Sequence, residues 1–381
     1  MRLPPFLLDQ WLAAHGRDVA FNLGGSTGPH WSITELLQLA GEDGHRRFLE
    51  SRLLYGPAAG ETGLRTAIAE MQHVPLEHVL VVAGGSEALL HIFFHAAEPG
   101  ANVVVPFPGF PPYHAIPESL GTTVGVYRLR RETAYRIDLD EVRRLIDANT
   151  RLLLVNSPHN PTGATLSDEE LDALYALAMD RGVQFVCDEV FHPIYHGAKT
   201  ASAARLPHAT VIGDFSKAFA LSGLRVGWII EPDEYRRKQY LNAREYFSIS
   251  NTTAGEFLAE VAVRQRHVVL GRTSDVATAN LRVLDALMND HRDTLEWIRP
   301  AGGMTGFIRL AGGTDARALC EEALQAGVLL TPGDCFGIPD HIRLGFGVGR
   351  EWFPDAIARL ADVLSGSTTL RAPQSARSRR A

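Results

Sequence analysis

The sequence predicts an α/β fold: a large domain built on a mostly parallel sheet, followed by a smaller α+β unit. Short β-branched runs recur at residues 79–82, 103–105, 152–155, 183–187 and 210–212. Helical segments at 87–97 and 167–181 separate most of them. Strands that alternate with helices assemble into a parallel sheet buried on both faces. At 381 residues, 45% of them hydrophobic and 21% charged, the chain is long enough for two domains sharing a substantial core.

Taken in order, residues 6–14 read as a short amphipathic helix with Leu7, Leu8, Trp11 and Leu12 available for one face. The segment Phe21-Asn-Leu-Gly-Gly-Ser-Thr-Gly-Pro-His-Trp31 follows, rich in glycine and able to bring its backbone close to a ligand. Ser32 with Glu35, and Ser167 with Glu170, are capping boxes that open helices. After a strand at 228–230, a long helical region at 232–288 leads into the smaller unit. That unit is expected to hold strands at 306–310, 327–330 and 341–346 and a helix at 316–325. The expected division is an N-terminal arm and covering loop at 1–44, a large domain at 45–250 and a small domain at 251–365. The Ser/Arg-rich tail at 366–381, which has no large apolar residue after Leu370, is expected to be disordered.

Composition excludes several functions. A net charge of −7 leaves no basic footprint for nucleic acid. Cys187, Cys320 and Cys335 are too few and too scattered for a disulfide framework or a zinc site, which suits a reducing compartment. Pro4, Pro5 and Asp9 interrupt the apolar N-terminus, so it makes a poor signal peptide, and no apolar run reaches membrane-spanning length. The expected location is the cytoplasm.

The residues that could carry chemistry follow the strand ends, where ligands of such sheets bind. Ala83-Gly-Gly-Ser-Glu-Ala88 joins glycine amides and a hydroxyl to a helix start, an arrangement suited to an anion. Asp188 ends a buried apolar strand, and a carboxylate there needs a cationic partner. Lys217 lies in the apolar and small-residue run Asp214-Phe-Ser-Lys-Ala-Phe-Ala-Leu-Ser-Gly-Leu-Arg-Val-Gly227. Desolvation and the nearby Arg225 would both lower its pKa toward the neutral amine that bonds an aldehyde.

Ser216-Lys217, a small-residue run and then Gly223-Leu-Arg-Val-Gly227 resemble the lysine motif of class I/II aminotransferases. These are pyridoxal-phosphate (PLP) enzymes of fold type I, and the resemblance implies a mostly parallel seven-stranded sheet. Asn156-Ser-Pro-His-Asn-Pro-Thr-Gly163 contains the family's Asn-Pro-x-Gly signature, with one of its X-Pro bonds expected to be cis. The resemblance implies a Schiff base on Lys217, which also moves the α-proton. It implies Asp188 on the pyridine nitrogen, Asn160 on the 3-oxygen and Phe110 on the ring face. Gly85, Ser86, Ser216 and Arg225 would hold the phosphate. Arg343, in His341-Ile-Arg-Leu-Gly-Phe346, would clamp the substrate carboxylate. Tyr55 would reach the phosphate of the neighbouring subunit of a homodimer. The matches keep the family's order from Tyr55 to Arg343. An enzyme is therefore expected rather than a PLP-binding regulator, since no helix-turn-helix precedes the matched region.

Two positions depart from the family pattern. Phe191 stands where most aminotransferases have a tyrosine hydroxyl, and Asp214 where they have a hydroxyl residue facing phosphate. A carboxylate there would repel phosphate, so either Ser216 takes the contact or Asp214 points elsewhere. Phe191, the Gly28-Pro-His-Trp31 loop and the strand Gly302-Gly-Met-Thr-Gly-Phe307 are similar to capreomycidine synthase-like enzymes of peptide-antibiotic biosynthesis. That likeness implies elimination of the β-hydroxyl of 3-hydroxy-L-arginine followed by ring closure. Gly28 and His30 would then lie at the substrate, with His30 as an acid for the leaving hydroxyl. The family alternative is transfer of an amino group to a 2-oxo acid.

Overall fold

A computed structural model of the chain describes residues 2–371. Its large sheet has seven strands, in the spatial order Val79–Val82, Gly227–Ile230, Thr210–Asp214, Gln184–Asp188, Thr150–Asn156, Asn102–Phe107 and Thr123–Arg128. Gly227–Ile230 is antiparallel to both neighbours, and the remaining pairs are parallel. Alternate residues along each strand enter different cores. Val103, Val105, Leu152, Leu154, Val186 and Ile212 pack on one face, while Val104, Leu153, Val155, Phe185, Cys187 and Val211 pack on the other. Burial on both faces is why these strands read as continuous apolar runs.

The edge strand Thr123–Arg128 was not expected from the sequence. Gly125 interrupts it, and the exposed Thr123 and Arg128 dilute its pattern. Both capping boxes are present: Ser32 with Glu35 opens Ile33–Leu49, and Ser167 with Glu170 opens Asp168–Asp180. The helical region after the sheet is three helices, Glu234–Phe247, Thr253–Arg264 and Arg266–Asp290. Asp233 and Thr252 cap the first two, each accepting from a backbone N–H of its first turn.

A further core gathers on an antiparallel sheet ordered Thr331–Pro332, His341–Gly345, Thr305–Leu310 and Leu295–Trp297, with the helix Phe353–Gly366 against it. The strand expected at 327–330 is split. Val328–Leu329 pairs in parallel with Phe21–Asn22, and Thr331–Pro332 joins the antiparallel sheet. That first pairing draws the N-terminal segment, with its helix Leu7–His15, over the mouth of the large sheet. The tail expected to be disordered from 366 is helical at Thr368–Arg371, where the Thr369 hydroxyl donates to Glu322 at 2.7 Å. Residues 372–381 lie outside the described part. Among the described residues, no helix is long and apolar enough to cross a membrane.

Candidate active site

Four parallel strands end on Phe107, Asn156, Asp188 and Asp214, and the last three of these ends line a cleft of about 460 Å³. Asp188 is 3% exposed, and its partners are neutral. It accepts the Tyr113 hydroxyl at 2.8 Å and the Val190 N–H at 3.1 Å. Burial pushes its carboxyl up to about 6 against these hydrogen bonds, and Asp214 and Glu189 add repulsion. Glu189, the neighbouring acid, turns away and accepts from Ser202 and the Ala203 N–H.

Lys217 donates from Nζ to Ser26 Oγ at 2.9 Å, which ties the N-terminal loop to the lysine. Burial and then the Arg343 charge bring its ammonium down to about 8, with Asp214 and Asp9 acting in the opposite sense. An amine at that pKa is substantially neutral near pH 8, as bond formation to an aldehyde requires.

At the other end of the cleft, Gly84 has φ 88°, and its strand neighbour Gly227 approaches so closely that a Cβ on Gly227 would lie 2.9 Å from the Gly84 Cα. This tight turn opens the helix Gly85–Ala96 toward the cleft. Asp214 points into the same cup, where Oδ2 accepts the Gly85 N–H at 2.6 Å and Oδ1 accepts the Ser216 N–H. The Ser216 hydroxyl instead accepts from Arg225 at 3.4 Å. Ser86, Ser222 and Arg225 complete the lining at this end.

Arg343, 1% exposed, donates to Gly24 O at 2.6 Å and to Asn160 Oδ1 at 3.2 Å. Its buried Nε has no partner among the described residues, and no carboxylate pairs with it. Burial lowers its pKa to about 10. A desolvated guanidinium with an idle donor is a site for an anion. Asn160 is held by its own N–H to Asn156 Oδ1, and both proline bonds of its segment, Ser157-Pro158 and Asn160-Pro161, are cis.

Phe110 and Phe191 also line the cleft. Three residues named from the sequence do not. His30 is exposed and contributes only its carbonyl, to Arg272 at 3.0 Å, because the loop turns its side chain outward. Gly28 is a close-approach position, since a Cβ there would come within 2.9 Å of Ala220 and Thr273. Tyr55 is 83% exposed and lies beside Asn251 and Thr253, outside this chain's own cleft. Sequence reasoning missed Tyr113, Ser26 and Asp9. Tyr113 follows Phe110 by three residues, a helical spacing that was there to be read.

This donor set fits pyridoxal phosphate. The uncompensated Asp188 would take the protonated pyridine nitrogen, Asn160 the 3-oxygen, and Lys217 the aldehyde. Ser86 and Arg225 would hold the phosphate, and the idle Arg343 is left for a substrate carboxylate. Residues 35–360 match the family aminotransferase class I and II. The chain is 29% identical over 367 residues to capreomycidine synthase of Streptomyces vinaceus, covering 95% of this chain and 94% of that one. It is 30% identical over 323 residues to an arginine–pyruvate transaminase of Pseudomonas aeruginosa, covering 81% of each. A PLP-dependent aminotransferase from Streptococcus suis superposes with a TM-score of 0.90 at 26% identity, covering 96% of this chain and 99% of that one. With its lysine, aspartate, asparagine and arginine gathered at the strand ends, the chain belongs to the class I and II aminotransferases, PLP-dependent enzymes of fold type I.

Proposed function

We propose that the enzyme dehydrates and cyclises 3-hydroxy-L-arginine, as capreomycidine synthase-like enzymes do. The observation that carries this reading is Phe191, 1% exposed, lining the cleft and packed on Gly303. With no hydroxyl at that position, the cofactor's 3-oxygen keeps more negative charge and holds the neighbouring nitrogen proton more firmly. When bound, PLP supplies an electron sink for the α-carbon.

The chain's own residues then do the following. Arg343 clamps the α-carboxylate, and the Lys217 amine takes the proton from Cα. The C–O bond at Cβ breaks, and hydroxide leaves as water with a proton from the guanidine nitrogen that adds to Cβ. The Lys217 ammonium returns its proton to Cα. One C–H and one C–O bond break, one C–N and one C–H bond form, and one water is lost without oxidation or a second substrate.

A second reading is favoured by the likeness to an arginine–pyruvate transaminase. The same lysine, aspartate and arginine would serve transfer of the amino group to a 2-oxo acid. Mass spectrometry separates the two. 3-Hydroxyarginine alone should yield, over many turnovers, a product lighter by one water. Turnover only with arginine plus a 2-oxo acid would establish the transaminase instead.

A homodimer is part of this proposal. Leu53, Leu54 and Tyr55 are 87%, 68% and 83% exposed, a contiguous apolar stretch suited to a partner subunit. Mixing inactive Tyr55→Ala and Lys217→Ala chains should restore activity if Tyr55 completes the neighbouring site. The three buried free thiols suit a reducing compartment such as the cytoplasm.

A further inference from the structure

The charged side chains lining the cleft are Asp9, Asp188, Asp214, Lys217, Arg225 and Arg343. Five of them have an assigned partner. Asp188 would take the pyridine nitrogen, Asp214 holds the Gly85 and Ser216 amides, and Lys217 would bond the cofactor. Arg225 lies at the phosphate end, and Arg343 awaits the α-carboxylate. Asp9 remains. Its carboxylate makes no hydrogen bond or ion pair among the described residues, yet it lies close enough to Lys217 to oppose the lowering of that lysine's pKa.

The helix that carries Asp9 is fixed in place. Leu8 is 4% exposed, Trp11 donates from its indole to Leu330 O at 2.8 Å, and the Arg317 guanidinium sits 5.1 Å from the Trp11 ring. The Phe6 ring meets Phe110 edge-on at 5.9 Å, and Leu12 lines the cleft beside them. This wall of the cleft is therefore apolar, with the solvent-exposed Asp9 carboxylate at its rim. That surface matches a side chain with a methylene stem and a cationic head. A side-chain carboxylate would meet no unassigned cation among the described residues that line the cleft.

We propose that Asp9 is the specificity-determining residue of the cleft and selects L-amino acids with a cationic, guanidinium-type side chain. This rests on the reading that the cleft processes an arginine derivative, and the two can fail separately. The first-turn position of Asp9 also complements the helix dipole, so the decisive readout must depend on the ligand's charge and not on helix stability. Arginine and citrulline have nearly the same shape, and only arginine is charged. Spectral titration of the PLP-loaded, full-length enzyme with each amino acid reads binding without requiring turnover.

The wild type is expected to bind arginine at least about tenfold more tightly than citrulline. Asp9→Asn should remove that preference by weakening arginine alone, and Asp9→Glu should keep it, with both variants fully loaded with PLP. Equal binding of arginine and citrulline by the wild type, or an Asp9→Asn effect that is the same for both ligands, would overturn the inference. If 3-hydroxyarginine gives no dehydrated product while Asp9→Asn still erases the preference, the cyclisation reading falls and the assignment of Asp9 stands.

Discussion

Asp214 Oδ2 accepts the Gly85 N–H at 2.6 Å, so a carboxylate occupies the amide that opens the helix where the cofactor's phosphate would lie. Aminotransferases generally place a hydroxyl residue there, and the consequence here is a fixed negative charge beside an incoming dianion. Two like charges that share one set of donors compete.

Asp214→Ser should therefore bind PLP more tightly than the wild type, by about tenfold. The measurement is the dissociation constant of PLP from protein stripped of cofactor, followed by absorbance. An unchanged or weaker affinity would show that the carboxylate serves the phosphate by ordering Gly85 and Ser216. In that case the repulsion is already offset by Arg225.

Asp188 offers a test of sign. Its folded carboxyl titrates at about 6, above the ordinary 3.8, because burial is not balanced by any cation. Between those two values the folded chain binds more protons than the unfolded one, so this group's contribution to stability falls as pH rises through that window. Asp188→Asn removes the buried charge and can keep both contacts, its carbonyl taking the Val190 N–H and its amide meeting the Tyr113 hydroxyl. Without cofactor, the variant should melt a few degrees higher than wild type at pH 8 and show little difference near pH 4. With PLP, it should retain the cofactor but lose most activity, because a neutral amide no longer holds the pyridine nitrogen protonated. A near-wild-type rate would mean that another group performs this task.

How much of this was legible in the sequence depends on how local each feature is. Strand ends and capping boxes are local, and Asn160, Asp188, Lys217, Arg225 and Arg343 announced themselves through short motifs. Ser26 and Asp9 did not, because each reaches the cleft from a segment roughly two hundred residues from Lys217, through the parallel pairing of Phe21–Asn22 with Val328–Leu329. No periodicity encodes that pairing. His30 was misplaced for the same reason: a loop's composition does not say which way its side chains face. Asp214 was recognisable as a departure, but only the fold shows that it turns into the cup.

Lys217 should show its lowered pKa in the rate of cofactor capture. Its ammonium titrates at about 8, below the ordinary 10.5, through burial and the Arg343 charge. The neutral amine is the reactive form, so capture of PLP by the stripped protein should rise through a midpoint near pH 8 and level off above it. Arg343→Gln should move that midpoint upward, because the second cause of the shift is removed. Lys217→Ala should leave no link that borohydride can fix. A covalent link surviving in that variant would place the cofactor on another lysine.

The last prediction concerns Phe191. Replacing it with tyrosine would add a donor beside the position proposed for the cofactor's 3-oxygen, next to the one Asn160 would provide. The added hydrogen bond stabilises the charged oxygen and loosens the neighbouring nitrogen proton. The pH midpoint of the bound cofactor's visible absorbance should therefore drop by about one unit in Phe191→Tyr. The ring is 1% exposed and lines the cleft, so folding and PLP loading of the variant are measured alongside the midpoint. If the cyclisation reading holds, turnover of 3-hydroxyarginine should slow, and part of the enzyme should stall with the amino group left on the cofactor until a 2-oxo acid is supplied. An unmoved midpoint with an unaltered product would reduce Phe191 to a packing residue and remove the main support for cyclisation over transamination.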